Sequence, residues 1–338
     1  MRRRPSVLLA SVVSLTVGLL LGASSARLAD GAEDGPPLRV SLLVDGPAGS
    51  RPAPPAALAA PTDPPAAGAA PTDPPAAGAA PSDPPAAGAA PSDPIANLDV
   101  LARKATTDAS KKGADITFSL LDRKTGRLIA TGDQAPFPIA SVAKLFIADD
   151  LLMGLSTTKR KLSPDDRRRL DVMLRSSDDF PADEFWDRDG GNAIIKRVVA
   201  RYGLTATTVP YDGNWWNTMS TTKDLVRYYD MLLDGTGGLP PEQAAVIMSD
   251  LAASTPVAAD GYPQRFGIPD GLFSESVAVK QGWMCCWNGP NWLHMSTGVI
   301  GADRRYVIAM GSMQPVGEAA ARDTMTQTLK TMFPGGRI

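Results

Sequence analysis

Ser141-Val142-Ala143-Lys144 follows Pro138-Ile139-Ala140 and opens an almost wholly apolar run, Leu145 to Met153. Between Ile139 and Met153 the only charges are Lys144, Asp149 and Asp150. That pattern predicts a mostly buried helix rather than an amphipathic surface one. Positions i and i+3 share a helical face, so Lys144 can reach the Ser141 hydroxyl. Burial disfavours the ammonium form of Lys144, and the positive helix N-terminus disfavours it further. A lysine so placed can accept the serine proton near neutral pH and activate Ser141 toward acyl groups without a histidine. The helix start also offers backbone N–H groups to a developing oxyanion. The competing structural reading makes Ser141 an N-cap and lets Lys144 snorkel outward.

The tetrad alone is a weak signal, because Ser156-Thr157-Thr158-Lys159 and Ser220-Thr221-Thr222-Lys223 share its spacing. Context separates them. Ser156 lies in the polar, basic stretch from Gly154 to Lys161, where Lys159 would be solvated and protonated. Ser220 precedes a helix whose cap is expected at Thr221, with Asp224 completing a capping box. Both read as structural.

The formal net charge of −2 and the 43% hydrophobic content average over three unlike regions, so each is read separately. Residues 1–26 read as a targeting segment: Arg2, Arg3 and Arg4, an apolar stretch from Val7 to Leu21, then Ser24-Ser25-Ala26 as a small-residue cleavage site. The apolar stretch is at the upper length for a cleaved signal, so a cleaved signal peptide and an uncleaved membrane anchor both stay open. Either way the chain is expected to be exported to the cell envelope, periplasmic or secreted. No cysteine follows the apolar stretch to carry a lipid. The Arg3-Arg4 pair is a poor twin-arginine match because Pro5 and Ser6 follow.

Residues 27–94 read as a disordered Pro/Ala-rich linker. Ten-residue repeats, Pro-Thr/Ser-Asp-Pro-Pro-Ala-Ala-Gly-Ala-Ala, start at Pro61, Pro71 and Pro81, with a fourth cut short at Pro94. Such a composition buries no core and stays extended. It would reach on the order of 100 Å at ~3.1 Å per residue. A spacer and a low-complexity expansion without a role are both consistent with it.

Residues 95–338 suit one domain of ordinary size. Helices are predicted over Asn97–Lys112, from the Ser141 tetrad onward, and over Pro164–Leu174, Asn192–Tyr202, Thr221–Leu233, Pro241–Ala252 and Gly317–Met332. Strands are predicted over Ile116–Leu121, Arg127–Thr131, Ser276–Lys280, Leu293–Ile300 and Arg305–Ser312. The order implies an α+β fold, an antiparallel sheet with helices before, between and after its strands.

That order, with a serine-lysine helix after the first hairpin, resembles the penicillin-recognising serine hydrolases, the class A β-lactamases and penicillin-binding proteins. Their motifs are Ser-x-x-Lys, Ser-Asp-Asn and Lys-Thr-Gly. Ser141-Val142-Ala143-Lys144 matches the first fully. Ser177-Asp178-Asp179 matches the second with Asp for Asn, and Lys280-Gln281-Gly282 the third with Gln for Thr. Within this superfamily the stretches SVAKLFIADDLL, LDVML, SSDD, DGGNA, RYYDMLLDG, DGYPQRFGIPDGL and VAVKQGWMCC are similar to the LppW group of mycobacterial alanine-rich lipoproteins. That group's lipid anchor does not carry over, for want of the cysteine.

The resemblance implies Ser141 as nucleophile and Lys144 as its base. It implies Ser177 as proton relay to the leaving nitrogen and Lys280 as the group that tunes that relay and holds a substrate carboxylate. Ser141 and Trp283 would supply the oxyanion N–H groups. Asp179, Gln281, Gly282 and Trp283 would face the substrate, a β-lactam or a peptidoglycan stem peptide. Asp179 offers no amide donor and adds a negative charge, and Gln281 would donate from farther out than a threonine. Class A β-lactamases also need a glutamate in the loop before the Thr221-type helix to activate the deacylating water. Between Leu204 and Ser220 there is none, and Asp212 is the only carboxylate. Acylation without fast β-lactam turnover is the expectation. A non-catalytic module that binds peptidoglycan or a protein partner on the same fold is the alternative, and a spacer-borne structural protein a third.

The remaining signals are weaker. His294 is the only histidine and is expected on a sheet face, which excludes a site of several imidazoles. Adjacent Cys285 and Cys286 could form a vicinal disulfide or remain buried thiols. No Cys/His spacing suits a metal and no glycine-rich phosphate loop opens a helix, so no cofactor is implied. Trp215, Trp216, Trp283 and Trp292 could line a glycan groove, but core or rim packing is the favoured reading. The runs Lys159–Lys161 and Arg167–Arg169 are interleaved with Asp165 and Asp166, a solvated helix face rather than a nucleic-acid patch. A membrane would be met only through an uncleaved N-terminal segment.

Overall fold

The structure, a computed structural model, describes residues 95–338; the targeting segment and the repeats lie outside the described residues. In chain order come α1 (Leu98–Ser110), β1 (Asp115–Asp122), β2 (Arg127–Thr131) and the short β3 (Phe137–Pro138). A single 3₁₀ turn, Ala140–Ala143, then runs straight into α2 (Lys144–Thr157). Next are α3 (Pro164–Arg175), α4 (Asp179–Asp189), α5 (Asn192–Tyr202), β4 (Met219–Ser220), α6 (Thr222–Asp234), α7 (Pro241–Ala252) and the four-residue α8 (Ile268–Gly271). The chain closes with β5 (Val277–Cys285), β6 (Trp292–Ile300), β7 (Tyr306–Gln314) and α9 (Glu318–Met332).

Five strands form one antiparallel sheet in the order β2-β1-β7-β6-β5, so the last three strands of the chain slot beside its first hairpin. Strand side chains alternate between faces, and the register fixes which residues share one. Ser119, Ala309, Thr297 and Lys280 lie in a row across β1, β7, β6 and β5. The next row is Phe118, Met310, Ser296 and Gln281. Phe118 and Met310 pack in the apolar layer with Leu98, Ala102, Met325 and Leu329 of α1 and α9. Ala309 and Val307 belong to the opposite layer, built on α2, α5, α6 and α7.

α2 is the axis of that second layer. All nine residues from Lys144 to Leu152 are buried, as the near absence of charge predicts. Its two carboxylates are compensated rather than solvated. Asp149 accepts from Arg201 and from the Tyr202 and Tyr228 hydroxyls, and Asp150 takes a two-pronged bond from Arg197 at 2.8 and 2.6 Å. Such partners are what a buried acid requires.

The predicted elements are present, most with ends moved by no more than a residue or two. The short β3, β4 and α8 are not among them, and α4 is the one long element absent from the sequence reading, because Pro181 breaks the helical pattern. Pro181 sits in the first turn, where a missing N–H is harmless. The Asp178 side chain caps that helix by accepting from Phe180 N at 3.0 Å. β5 also runs five residues beyond its predicted end, through Gly282 to Cys285.

Candidate active site

Ser141 reaches its place because the chain on both sides of the site is pinned. β3 pairs with β4, Phe137 against Ser220, and Ile139 N donates to Thr218 O at 3.0 Å. Ala140 then takes a left-handed conformation, φ 46°, which an L-residue adopts only under constraint. That kink turns Ser141 into the 3₁₀ turn ahead of α2. Ser177, in the bend between α3 and α4, is likewise left-handed at φ 57°.

Edge strand β5 passes directly along the Ser141 turn. A Cβ on Gly282 would stand 2.9 Å from Ile139 O and 3.2 Å from Ser141 N, so this close approach needs glycine. Three lengths of chain distant in sequence therefore converge: the Ser141 turn, the Ser177 bend and β5.

The side chains they carry form one hydrogen-bonded array. Lys144 Nζ, wholly buried, donates to Ser141 Oγ at 3.1 Å, Ser177 O at 2.6 Å and Asp179 Oδ1 at 2.5 Å. Lys280 Nζ, also buried, donates to Ser177 Oγ at 2.7 Å and to Gln281 O at 3.0 Å. Burial pushes the Lys144 ammonium below the ordinary lysine value, against the nearby Asp179, which favours the charge. Lys280 is driven well below that value, first by burial and then by repulsion from Lys144. An array holding two lysines with weakened ammonium forms around two serines can move protons between hydroxyls.

The structure thus brings Ser141, Lys144, Ser177, Lys280 and Asp179 together, with Gly282 and Trp283 beside them. It does not bring the Gln281 side chain there. Gln281 is 1% exposed, and its amide donates to Gln264 O at 3.0 Å and Phe266 O at 2.6 Å on the α1/α9 side of the sheet. Strand alternation is the reason: Lys280 and Gln281 are neighbours on β5 and must face opposite ways. The expected substrate contact from Gln281 is corrected to a structural one.

Residues that sequence reading left aside complete the site. A cavity of about 180 Å³ beside Ser141 is bounded by Ala140, Asp179, Trp215, Trp216, Asp260, Trp283 and Met284. Asp260 and Met284 belong to no catalytic motif; the signals they carry are the stretches DGYPQRFGIPDGL and VAVKQGWMCC in which they lie. Of the four tryptophans considered for a groove, Trp292 stacks on Tyr262 and His294 and does not border this cavity. His294 is buried on β6, its Nε2 2.6 Å from the Tyr262 hydroxyl, so its contact is Tyr262 and not Ser141. Cys285 and Cys286 are joined as a disulfide. Among the described residues no group of His, Cys, Asp and Glu could hold a metal ion, and no helix is long and apolar enough to cross a membrane.

Thr221 caps α6 through Asp224 N, as expected, while the Asp224 carboxylate binds Ala206 N and Thr207 Oγ1 instead of returning to the cap. Ser220 meets Thr207, confirming a structural role for the third Ser-x-x-Lys stretch. In the loop before α6, Asp212 is held by Asn214 N and by the side-chain amides of Asn214 and Asn217.

No protein-family model matches the chain. Over 241 residues, 71% of this chain and 76% of the relative, it is 58% identical to lipoprotein LppW of Mycobacterium tuberculosis and, equally, of Mycobacterium bovis. Among solved structures it is similar to PBP-A, with TM-score 0.58 at 17% identity over 72% of this chain and 97% of that one. A mutant of PBP-A is solved as its acyl-enzyme complex with penicillin G. A β-lactamase from Chitinophaga pinensis gives TM-score 0.56 at 14% identity over 69% of this chain and 98% of its own. At such identities the structural likeness establishes the fold, while the close sequence relatives establish kinship: the chain belongs to the LppW family, built on the fold of the penicillin-recognising serine hydrolases.

Proposed function

We propose that this protein is an exported cell-envelope serine acyl hydrolase-like enzyme that takes an acyl group onto Ser141 and releases it slowly. The observation that carries the reading is the array Ser141–Lys144–Ser177–Lys280, closed by bonds of 3.1 and 2.7 Å at its two ends. In this reading Ser141 Oγ attacks the carbonyl carbon of an amide while its proton passes to neutral Lys144 Nζ. The backbone N–H groups of Ser141 and Trp283 receive the oxyanion. As the C–N bond breaks, Ser177, backed by Lys280, delivers its proton to the departing nitrogen and is resupplied from Lys144 Nζ, 3.4 Å from its Oγ, and the acyl ester remains on Ser141.

Release is the slow step because no strong base is supplied for water. Although slight desolvation opposes it, the bonds from Asn214 and Asn217 hold the Asp212 carboxyl below its ordinary range, which makes it a weaker base still. A β-lactam or a peptidoglycan stem peptide is the substrate class we infer. Export is supported by the basic-apolar start of the sequence and by relatives named as lipoproteins.

The Lys144–Asp179 ion pair favours a second reading, a binding module without turnover, since an ammonium so paired accepts no proton. Incubation of the purified protein with a fluorescent penicillin, followed by intact-protein mass spectrometry, separates the two. Labelling of wild type and not of Ser141→Ala supports the enzyme. A folded protein that stays unlabelled over hours leaves the binding module.

A further inference from the structure

The cavity beside Ser141 is aromatic and acidic. Trp215, Trp216 and Trp283 supply its walls, and Asp179 and Asp260 are the only charged residues on its lining. Lys280 lies buried behind the serines, and the Gln281 amide is turned to the other side of the sheet. A carboxylate entering this cavity therefore meets two like charges and no exposed basic side chain.

The walls are fixed in place. Trp283 stacks on Tyr262 with centroids 4.6 Å apart and planes 8° from parallel, and the Arg322 guanidinium lies over Tyr262 at 4.7 Å. Trp283 Nε1 also donates to Asp260 Oδ2 at 3.3 Å, while Asp260 Oδ1 takes a bond from Tyr262 N at 2.9 Å. Across the cavity Trp215 is anchored by its Nε1 on Asp183 at 2.7 Å and meets Trp216 edge-on. One of these rings already faces an amine, since Lys144 Nζ stands 4.8 Å from the Trp215 ring centre. Indole faces attract cations, and rigid indoles beside carboxylates form a recurrent ammonium receptor.

We propose that this cavity selects acyl donors carrying an ammonium group on the acyl side of the scissile bond, seated between Asp260, Asp179 and the indoles, while the reacting carbonyl lies at Ser141 and the carboxylate of a β-lactam or stem peptide stays on the leaving-nitrogen side, outside the cavity. The selectivity rests on the acyl chemistry proposed above for its meaning as a substrate preference, but the binding is measurable without that chemistry.

Three arylboronic acids of matched shape provide the test on the full-length protein: 3-(aminomethyl)phenylboronic acid, 3-ethylphenylboronic acid and 3-carboxyphenylboronic acid. Boron accepts an electron pair from Ser141 Oγ, forming one O–B bond as the seryl proton passes to Lys144, so no other reactant is needed. Tryptophan fluorescence should give the ammonium compound about tenfold tighter binding than the ethyl compound, with the carboxylate weakest. Asp260→Asn should shrink the ammonium advantage at least threefold, and Asp260→Glu should retain it.

A second arm uses Ser141→Ala with benzylammonium and benzoate, where no covalent bond can form. Benzylammonium should quench the tryptophans and benzoate should not. If all three boronic acids bind with equal affinity, or the carboxylate binds best, the selectivity is overturned while the acyl chemistry survives. If no boronic acid binds but benzylammonium still exceeds benzoate in Ser141→Ala, the acyl chemistry falls and the selectivity stands. Equal response to benzylammonium and benzoate overturns the selectivity in that arm too.

Discussion

Asp179 grips the base of the proposed reaction: its Oδ1 accepts from Lys144 Nζ at 2.5 Å, with the lysine wholly buried and the aspartate side chain 68% exposed. The three shortest contacts of Lys144 Nζ, to Ser141 Oγ, Ser177 O and Asp179 Oδ1, use the three donors of an ammonium, with Ser177 Oγ farther off at 3.4 Å. To serve as a base it must give up one of those protons, and the carboxylate is the partner that resists most.

Asp179→Asn removes the group that favours charge on Lys144 and leaves the burial that opposes it. The folded lysine should then lose its proton at lower pH, so the acidic limb of the acylation rate against pH moves toward acid. At pH 7 labelling should be about tenfold faster than in wild type. An unmoved limb, measured by labelling time courses from pH 5 to 9, would show that Lys144 is not the titrating base.

Gly282 permits the approach of β5 to the nucleophile turn. In Gly282→Ala the new methyl group meets Ile139 O and Ser141 N, both backbone atoms that no side-chain rotation can clear. The strand and the turn must separate, carrying the Ser141 and Trp283 N–H groups out of line. Acylation should fall about 100-fold, the scale of losing one oxyanion donor. Unchanged labelling kinetics in a folded Gly282→Ala protein would remove β5 from the oxyanion site.

Lys280 ties stability to function in opposite directions. It is buried, it donates to a serine hydroxyl and to its neighbour's carbonyl but to no carboxylate, and burial pushes it well below the ordinary lysine value. Between that lowered value and about pH 10 the unfolded chain binds more protons than the folded one, so wild-type stability should rise with pH through this window. Lys280→Met removes the desolvation. It should gain about 1 kcal/mol at pH 7, or about 2–4 °C in melting temperature, and flatten the rise except for the share belonging to Lys144. The same change takes the partner from Ser177 Oγ, and acylation should drop by about 100-fold. Melting curves from pH 6 to 10 check the first part, and penicillin labelling the second.

The legible parts of this molecule are those written in local pattern. The α2 core helix was readable because an apolar run with three charges has one economical fate, and the strands of the closing sheet because β-branched and apolar residues cluster between turn signals. α4 was not, since Ser177-Asp178-Asp179 carries two meanings at once: a functional motif and a helix cap at Asp178. Lys144 could be placed beside Ser141 by helical spacing alone. Asp260 could not, because it reaches the cavity through a loop whose course depends on Gln264 and Tyr262 packing against β5 and β6. The motif places Gln281 beside Lys280 as a site residue, and because the expected strand ends at Lys280, the alternation that turns Gln281 to the other face is visible only once β5 runs on to Cys285.

Gln281 supplies the final test, since its structural role predicts a pattern unlike that of any substrate contact. Its amide holds the Gln264 and Phe266 carbonyls, and through them the loop carrying Asp260 and Tyr262. In Gln281→Ala two buried acceptors lose a donor each, at a cost of about 1–3 kcal/mol. Melting temperature should therefore fall by several degrees. The labelling rate of the protein that remains folded should stay within about threefold of wild type, because Lys280, Ser177 and Ser141 keep every bond they make. A side chain in contact with substrate gives the reverse, a fall in rate with stability kept. Thermal unfolding and labelling kinetics on the same preparation distinguish the two, and a rate loss beyond tenfold at unchanged melting temperature would return Gln281 to the site.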